Sequence, residues 1–413
     1  MVENRKEVKY TMTFKKWMGT SAIVAALMIP NTSVFAKEEK SMEDFTERTY
    51  GFTAVDEEII AASTLFRYDS GLTFTYPDAV RGVYVTGNSA GGARFNDLLT
   101  LLDKTDLNAM VIDIKDDFGE LTYMPADDSP LKPLDIGKPF MKNPREVLEV
   151  LEEKEIYPIA RVVVFKDTAL AEARPELSFV EGSEVWKNGR SEAFVNPFMK
   201  EVWDYNVEVA IEAAKMGFQE IQFDYVRFPE GFENREDTLK YSMGDYESSD
   251  ADAVQKRVHA VTDFVAYARE KLKPYNVKVS VDIFGYAATL PEAPGIGQNF
   301  GKISENVDVI SSMIYPSHWT SYFGIAKPDL EPYKLVQEYA KAENATLAKL
   351  KSPPISRPWL QDFTASYLGS GNYQKYGAAE VQAQILALNE AGINEYLLWN
   401  ASNRYSPGVD YTP

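Results

Sequence analysis

From Arg81 onward, short runs of β-branched and aromatic residues alternate with longer segments of helical periodicity, and this alternation limits the fold more than any other feature. The pattern is typical of βα units around a parallel sheet. Eight strands are predicted, at 81–87, 109–115, 157–165, 219–226, 276–284, 306–315, 355–361 and 394–400. Helices are predicted near 94–104, 144–154, 198–216, 252–273, 296–305, 332–349 and 376–391. The helix after the last strand is absent or reduced to the tail beyond Tyr405.

Eight strands in about 330 residues predict a (β/α)8 TIM barrel, which takes roughly 250 residues and tolerates loop insertions. A doubly wound open sheet is the alternative. No Gly-x-Gly-x-x-Gly follows the first strand, since Gly87 and the pair Gly91–Gly92 lack that spacing, which disfavours a dinucleotide-binding fold. The long βα loops, which build the active-site face of a barrel, are predicted at 116–143, 166–197, 227–251, 285–300 and 316–331.

The N-terminus resembles an export signal. Lys15 and Lys16 precede an apolar run over 17–30, and a cleavage site follows Ala36. Because the run is short for a bilayer, no stable membrane insertion is expected after cleavage; a retained amphipathic anchor or a buried helix is the alternative. Three segments are therefore predicted: a signal peptide over 1–36, a short N-terminal extension over 37–78 that is a linker with a flap or a pair of strands, and the barrel over 79–413. The expected location is secreted or associated with a bacterial cell wall.

Composition excludes several kinds of chemistry. The 43 basic and 62 acidic residues give a net charge of −19, which repels nucleic acid and anionic membranes. The chain has no cysteine, and His259 and His318 are its only histidines, so disulfides, thiolate sites, His-based triads and multi-histidine zinc sites are not expected. The acidic run Asp116, Asp117 and Glu120 lacks EF-hand spacing. We predict no metal and no cofactor, and carboxylates must carry any acid–base chemistry.

The fourth predicted strand, IQFDYVRFP over 221–229, contains the strongest catalytic candidate. Alternation puts Gln222 and Asp224 on one face and Phe223 and Tyr225 on the other, so Asp224 points into the barrel mouth if the aromatic residues meet the helices. The alternative is a structural aspartate paired with Arg227 or with a backbone amide.

Asp282 ends the neighbouring fifth strand. Glycoside hydrolysis needs two carboxyl groups, roughly 5–5.5 Å apart for retention or about 6.5–9.5 Å for inversion, and adjacent strand ends can supply either separation. Crowded like charges raise one pKa, as a general acid requires. Asp282 is therefore the predicted acid and Asp362 the reserve; alternatively, Asp282 binds a substrate hydroxyl or is a hydrogen-bond partner of Asp224.

Other polar and aromatic residues also stand at strand ends. Alternation places the side chains of Asp113 and Lys115 on the same face of strand two. They could pair with each other and with Asp224, or bind substrate. Arg161 on strand three could orient carboxylates. Aromatic rings stack on the C–H faces of sugars, and Trp399 is the best candidate for such a floor. The predicted substrate-binding residues are Asp113, Lys115, Arg161, Arg227, Tyr315, His318, Trp319, Trp359, Gln361, Trp399 and Asn400.

From about Arg81 to Tyr405 the chain resembles the bacterial family known as the putative glycosyl hydrolase domain. The segments that carry the resemblance are RGVYVTG, MVIDIKDDFG, QFDYVRFP, VDIFGY, MIYPSHW and LLWNASNRY. The resemblance implies a TIM barrel of glycosidase type. The Asp of strand four and the M-x-Y of strand six are more distantly similar to barrel chitinases and α-galactosidases. Chitinases, however, have a DxxDxD segment followed by Glu where this chain reads FDYVRFP, so substrate-assisted catalysis is not expected.

The first hypothesis is a secreted glycoside hydrolase that cleaves a cell-wall, capsular or environmental polysaccharide, with Asp224 as nucleophile or general base and Asp282 as acid. A second is an inactive barrel that serves as a cell-surface carbohydrate-binding module, because no glutamate ends a central strand. A third, a metal-dependent deacetylase or other hydrolase, is disfavoured by two histidines far apart in sequence. The sugar, the linkage, the stereochemistry and the oligomeric state stay open.

Overall fold

Parallel strands close into a barrel in the computed structural model, which describes residues 67–413. In this part of the chain, the strands are β1 (Arg81–Val85), β2 (Ala109–Lys115), β3 (Tyr157–Val163), β4 (Val180–Glu181), β5 (Glu184–Val185), β6 (Glu220–Asp224), β7 (Lys278–Phe284), β8 (Val309–Met313), β9 (Ile355–Ser356), β10 (Trp359–Gln361) and β11 (Tyr396–Trp399). The barrel order is β1-β2-β3-β6-β7-β8-β9/β10-β11, and β11 pairs with β1. β4 and β5 form a separate antiparallel hairpin. The TIM-barrel prediction is confirmed, and the open-sheet alternative is wrong.

The seventh barrel position is interrupted, whereas the sequence predicted one strand over 355–361. β9 pairs with β8, and β10 pairs with β11 and, through Trp359, again with β8. Arg357 and Pro358 separate the two short strands. Proline has no N–H to donate to a sheet, which accounts for the break at this point.

Helices connect the strands and surround the barrel. Those described are α1 (Gly87–Ala90), α2 (Arg94–Asp103), α3 (Pro144–Glu153), α4 (Thr168–Ala173), α5 (Lys200–Met216), α6 (Ala253–Leu272), α7 (Phe300–Ser304), α8 (Pro332–Leu347) and α9 (Ala378–Glu390). Asn143, Asp167 and Asp252 cap α3, α4 and α6 through their side chains, which accept hydrogen bonds from otherwise unpaired N–H groups. As predicted, no helix follows β11. Within residues 67–413, no helix has the length and hydrophobicity to cross a membrane.

The strands have apolar side chains on both faces. The outer faces pack against the helices, and on β6 this face carries Ile221 and Phe223, as the alternation predicts. The inner faces form a second cluster inside the barrel, made of Val80, Tyr84, Ala109, Val111, Tyr157, Ile159, Tyr315, Trp359 and Leu397. Gln222, between the two outward residues of β6, donates a hydrogen bond to Ser311 of β8. Asp224 therefore continues the inward row of β6.

A buried ion-pair cluster closes the N-terminal end of the barrel. Arg357 donates hydrogen bonds to Glu220 at 2.7 Å, to Glu395 at 2.8 Å and to the hydroxyl of Tyr76 at 2.8 Å. Tyr76 belongs to the predicted N-terminal extension, and no strand forms within residues 67–78. The predicted signal peptide over 1–36, its cleavage site and the extension as far as residue 66 lie outside the described residues.

Candidate active site

Arg161 lies at the centre of the barrel mouth and joins two strand ends. Its Nε and Nη2 atoms donate to one oxygen of Asp224, Oδ2, at 2.9 and 2.6 Å. Its Nη1 atom donates to Asp113 Oδ1 at 2.7 Å. All three side chains are buried. The prediction that Arg161 orients carboxylates matches these contacts, and the guanidinium supplies the charge that two buried aspartates need.

Asp224 is held at its other oxygen by an unusual turn of the backbone. Tyr225, the next residue, has φ of +52°, a left-handed conformation that is uncommon for residues other than glycine. Its N–H donates to Asp224 Oδ1 at 2.6 Å. Asp224 thus accepts three hydrogen bonds from Arg161 and Tyr225 and donates none, which is the pattern of a carboxylate. Strained backbone of this kind is often found at functional sites.

Asp282 lies beside Asp224 but in a different environment. Phe223 pairs with Val281 across β6 and β7, so the two aspartates follow on neighbouring strands, which lie roughly 4.8 Å apart in a sheet. Burial and the negative charge of Asp224 raise the pKa of Asp282 well above its usual range. Trp359 Nε1 donates to Asp282 Oδ1 at 2.8 Å, and no hydrogen bond from residues 67–413 engages Oδ2. The raised pKa favours a protonated Asp282 beside an Asp224 side chain that is bound by Arg161.

Tyr315 lies near this pair, two residues after the end of β8. Its ring is buried, and the pKa of its hydroxyl is raised well above the usual range by burial and by the charges of Asp282 and Asp224. Tyr315 therefore stays protonated and can donate a hydrogen bond.

Two further charged residues extend the cluster, and the sequence prediction missed both. Asp117 accepts from Arg161 Nη2 at 2.8 Å and from Lys166 Nζ at 2.9 Å. Burial acts to raise the pKa of Asp117, but the charges of Arg161 and Lys166 outweigh it and lower the value to about 2. Lys166 also pairs with Glu192 at 2.8 Å. The position of Asp117 just after a strand end was an available signal, but its acidic run was considered only as a calcium site.

Tyr84 of β1 is another contributor that the prediction did not name. Its hydroxyl donates to Asp113 Oδ2 at 2.5 Å, and its ring stacks on Trp399 with 4.0 Å between centroids and 20° between planes. The Arg161 guanidinium carbon lies 5.5 and 5.3 Å from the two ring centroids. Burial raises the pKa of Asp113 to about 6, although Arg161 and Tyr84 oppose the rise. Trp399 thus lies beside the carboxylate cluster, where it was predicted.

The side chains of Lys115 and Asp113 do not lie on the same face of β2, so the prediction that they do is wrong. The register between β2 and β3 shifts between Asp113 and Lys115, which marks a β-bulge. A bulge inserts one residue and breaks the two-residue alternation. Lys115 is fully buried against Asp167 at 2.5 Å and Asn206 of α5 at 2.9 Å. Its amino group is therefore committed to an internal ion pair.

Three predicted site residues at β10 and β11 are held in internal hydrogen bonds. Gln361 is fully buried and binds Ser317 and Asp329. Asp362, the reserve acid, accepts from the backbone N–H and the hydroxyl of Ser406 at 2.9 and 2.6 Å. Asn400 donates to the Asp362 carbonyl oxygen at 2.5 Å. Asp362 and Asn400 thus organise the C-terminal segment, and no described contact joins Asp362 to Asp224 or Arg161.

The remaining predicted residues have different surroundings. Trp359 is buried and reaches Asp282 rather than the surface. Arg227 lies between the rings of Tyr225 and Phe284, 4.8 and 4.6 Å from their centroids. His318 is exposed beside Tyr315, whereas Trp319 is half-buried and packs on Tyr322 and on Tyr339 of α8. Within residues 67–413, no three His, Cys, Asp or Glu side chains form a candidate metal site.

Several solved structures of bacterial proteins are similar to this chain. The PgaB (BpsB) glycoside hydrolase domain from Bordetella bronchiseptica is 14% identical, with 79% of this chain and 95% of that chain covered and a TM-score of 0.55. A hypothetical protein from Ruminiclostridium thermocellum is 31% identical, with 48% of this chain and 96% of that chain covered and a TM-score of 0.42. An α-galactosidase from Thermus thermophilus is 12% identical over 85% of this chain and 67% of that chain, with a TM-score of 0.47.

No curated protein sequence matches the chain significantly. The sequence model of one family does match, over residues 82–405, from the first barrel strand to the tyrosine that follows the last. This range contains every strand end of the mouth described above. The family match and the barrel fold together support glycoside hydrolase activity, and the chain belongs to the family described as the putative glycosyl hydrolase domain.

Proposed function

We propose that this protein hydrolyses glycosidic bonds in a polysaccharide, with Asp224 and Asp282 as its catalytic pair. The observation that carries the proposal is the contrast between these neighbouring carboxyl groups. Asp224 accepts three hydrogen bonds, two of them from Arg161, whereas burial and the charge of Asp224 raise the pKa of Asp282. A carboxyl group that keeps its proton, beside one that only accepts hydrogen bonds, supplies the acid and the nucleophile that glycoside hydrolysis requires.

The roles follow from these charge states. Asp282 donates its proton to the glycosidic oxygen as the bond breaks, and Asp224 attacks the anomeric carbon to form a glycosyl ester. Asp282, now ionised, takes a proton from water, which hydrolyses the ester and restores both groups. The register that sets Asp224 directly beside Asp282, on strands about 4.8 Å apart, favours the shorter carboxyl separation, so the expected outcome is retention of the anomeric configuration. NMR of the first product tests this: an inverted first product would make Asp224 a general base instead.

The experiment that tests the function is reducing-sugar release from a panel of soluble polysaccharides: xylan, mannan, galactan, β-glucan and chitosan. We expect the native protein to release sugar from at least one of them and the Asp224→Asn variant to release none. Binding without release by the native protein would instead support the alternative of a carbohydrate-binding module.

The Asp282→Asn variant should distinguish the role of the acid from that of the nucleophile. With a polysaccharide whose leaving group needs protonation, we expect kcat to fall about 10²–10⁴-fold. A dinitrophenyl glycoside of the same sugar has a leaving group that departs unprotonated, so its kcat/KM, which reports formation of the glycosyl ester before Asp282 is needed as a base, should fall far less. Because the raised pKa keeps Asp282 protonated above the usual carboxyl range, native activity should decline at the alkaline side as this proton is lost, and the variant should lack that decline. Equal losses of kcat/KM on both substrates would contradict the acid role.

We further propose that the protein acts outside the cytoplasm. The support is the sequence alone: Lys15 and Lys16, the apolar run over 17–30 and the small residue Ala36. N-terminal sequencing of the protein recovered from culture medium or cell wall should give Lys37 as the first residue. Recovery only from the cytoplasm with an uncut N-terminus would contradict export.

A further inference from the structure

We infer that the barrel mouth contains an aromatic track for consecutive sugar units, which ends at Tyr367, so that a polymer is bound across the mouth and cleaved internally. This inference rests on the proposed function and specifies the mode of substrate binding. The aromatic track is defined as Trp399, Tyr315, Phe363, His318 and Tyr367.

The track begins beside the carboxylate cluster. Trp399, which stacks on Tyr84 next to Arg161, lies 6.4 Å from Tyr315 between ring centroids. Tyr315 in turn lies 6.1 Å from Phe363 and 5.1 Å from His318. Each spacing is within the range of direct ring contact. The rings therefore form a continuous wall over the ends of β11, β10 and β8.

Exposure varies along this wall and is greatest at the rim, where Tyr367 lies. Tyr315 is 6% exposed, Trp399 and Phe363 are half-buried, and Tyr367 is 67% exposed. The Tyr367 hydroxyl donates to Ser317 Oγ at 3.1 Å, so the ring is tethered at its tip while most of its surface meets solvent. An exposed tyrosine held in this way offers a ring face to a ligand at a low cost in side-chain entropy.

Most exposed apolar side chains lie in loops that follow strands. Of the nine large hydrophobic residues exposed in the described chain, seven lie in loops that follow the C-terminal ends of strands: Phe118, Met124, Phe140, Tyr286, Leu290, Leu330 and Tyr367. Tyr68 and Leu386 are the two exceptions. Loops that follow strands build the ligand-binding face of a barrel, and Tyr367 lies in such a loop; the loops of Met124 and Leu290 also run along the outside of the barrel, beside α5 and α8.

A second aromatic wall stands on the other side of Asp282. Phe284, two residues after Asp282, stacks with Tyr286 at 5.5 Å and 23°. On the opposite side, Trp359 donates to Asp282 and its ring lies 5.6 Å from Trp399. A glycan that contacts both walls must pass Asp282, with sugar units on either side of the cleaved bond. This arrangement fits internal cleavage better than removal of a terminal sugar.

Binding can be tested without turnover, in native gels that contain the same five polysaccharides. In an Asp224→Asn background, we expect at least one polysaccharide to retard the protein. Adding Tyr367→Ala should weaken that retardation about fivefold, the loss of roughly one ring-stacking contact. Tyr68→Ala is the matched control, because Tyr68 is 42% exposed and hydrogen-bonds Lys215 and Pro274 at the N-terminal end of the barrel.

Product analysis tests internal cleavage. Early products of mixed length, with solution viscosity falling before many reducing ends appear, are expected. Release of single sugars from the first time point, equal retardation of the Tyr367→Ala and Tyr68→Ala proteins, or no retardation in any gel would overturn the inference. If the native protein releases only single sugars and Asp224→Asn none, the proposed hydrolysis stands while the track fails. Retardation that depends on Tyr367 without any hydrolysis would support sugar binding along the track and contradict the proposed hydrolysis.

Discussion

Replacement of Asp224 by asparagine is expected to lower kcat by about 10⁴-fold or more, in the range found when a nucleophile is removed. The amide keeps the shape of the side chain but loses the negative charge that attacks the anomeric carbon. It also presents an NH₂ group to Arg161 or to the Tyr225 amide, both of which are donors. Unlike the loss at Asp282, this loss should persist with a dinitrophenyl glycoside, because leaving-group activation does not replace a nucleophile.

The matched control is Asp362→Asn. Asp362 is also a buried aspartate at a strand end, but its oxygens are bound by Ser406 rather than by Arg161. Steady-state kinetics on the polysaccharide should show far more activity for this variant than for Asp224→Asn, with circular dichroism to show that both are folded. An inactive Asp362→Asn protein beside an active Asp224→Asn protein would transfer the catalytic role to the reserve aspartate.

The second large effect concerns stability. Arg357→Met should lower the free energy of unfolding by about 3–5 kcal/mol, because it removes one partner of a buried ion pair and leaves the other charged. Glu220 is fully buried and its Oε1 binds Arg357, while Oε2 has no hydrogen-bond partner among the described residues. Glu395 and Tyr76 lose a donor at the same time.

Urea denaturation measures this change in the free energy of unfolding. Two further variants show whether the change comes from the buried ion pair. Arg269→Met removes the partner of Asp308 from a pair whose side chains are 29% and 30% exposed, and should cost less than about 1 kcal/mol. The double variant Arg357→Met with Glu220→Gln should recover part of the loss, since no unpaired charge remains at Glu220. Arg357→Met and Arg269→Met proteins of equal stability would contradict a structural role for the buried cluster.

The sequence predicted the barrel and the facing of Asp224 because both depend on local periodicity. Eight strand and helix signals follow one another at regular spacing, and the Phe223–Tyr225 alternation orients the residue between them. The predicted side-chain directions and strand bounds are wrong where the regular alternation of the strand is interrupted. A bulge after Asp113 turns Lys115 toward Asn206 of α5, and Pro358 divides the seventh barrel position into β9 and β10.

The detailed contacts of the site depend on loops and on long-range pairing, which periodicity does not describe. Asp117 reaches Arg161 only because the loop after β2 folds over the mouth. Trp359 donates a hydrogen bond to Asp282, although the two residues are 77 positions apart in sequence. Inward alternation on β1 could have identified Tyr84. The binding of Asp362 by Ser406 could not have been anticipated, because the C-terminal segment has no regular secondary structure.

The sharing of one guanidinium among Asp113, Asp117 and Asp224 has an electrostatic consequence for the reaction. Even with Lys166 added, two cations face three carboxylates, so the floor of the mouth keeps surplus negative charge. Cleavage of a glycosidic bond passes through an oxocarbenium-like state in which positive charge develops on the sugar ring. Fixed anions already in place favour that charge without rearrangement. Below pH of about 6 Asp113 takes up a proton, and part of this stabilisation is lost.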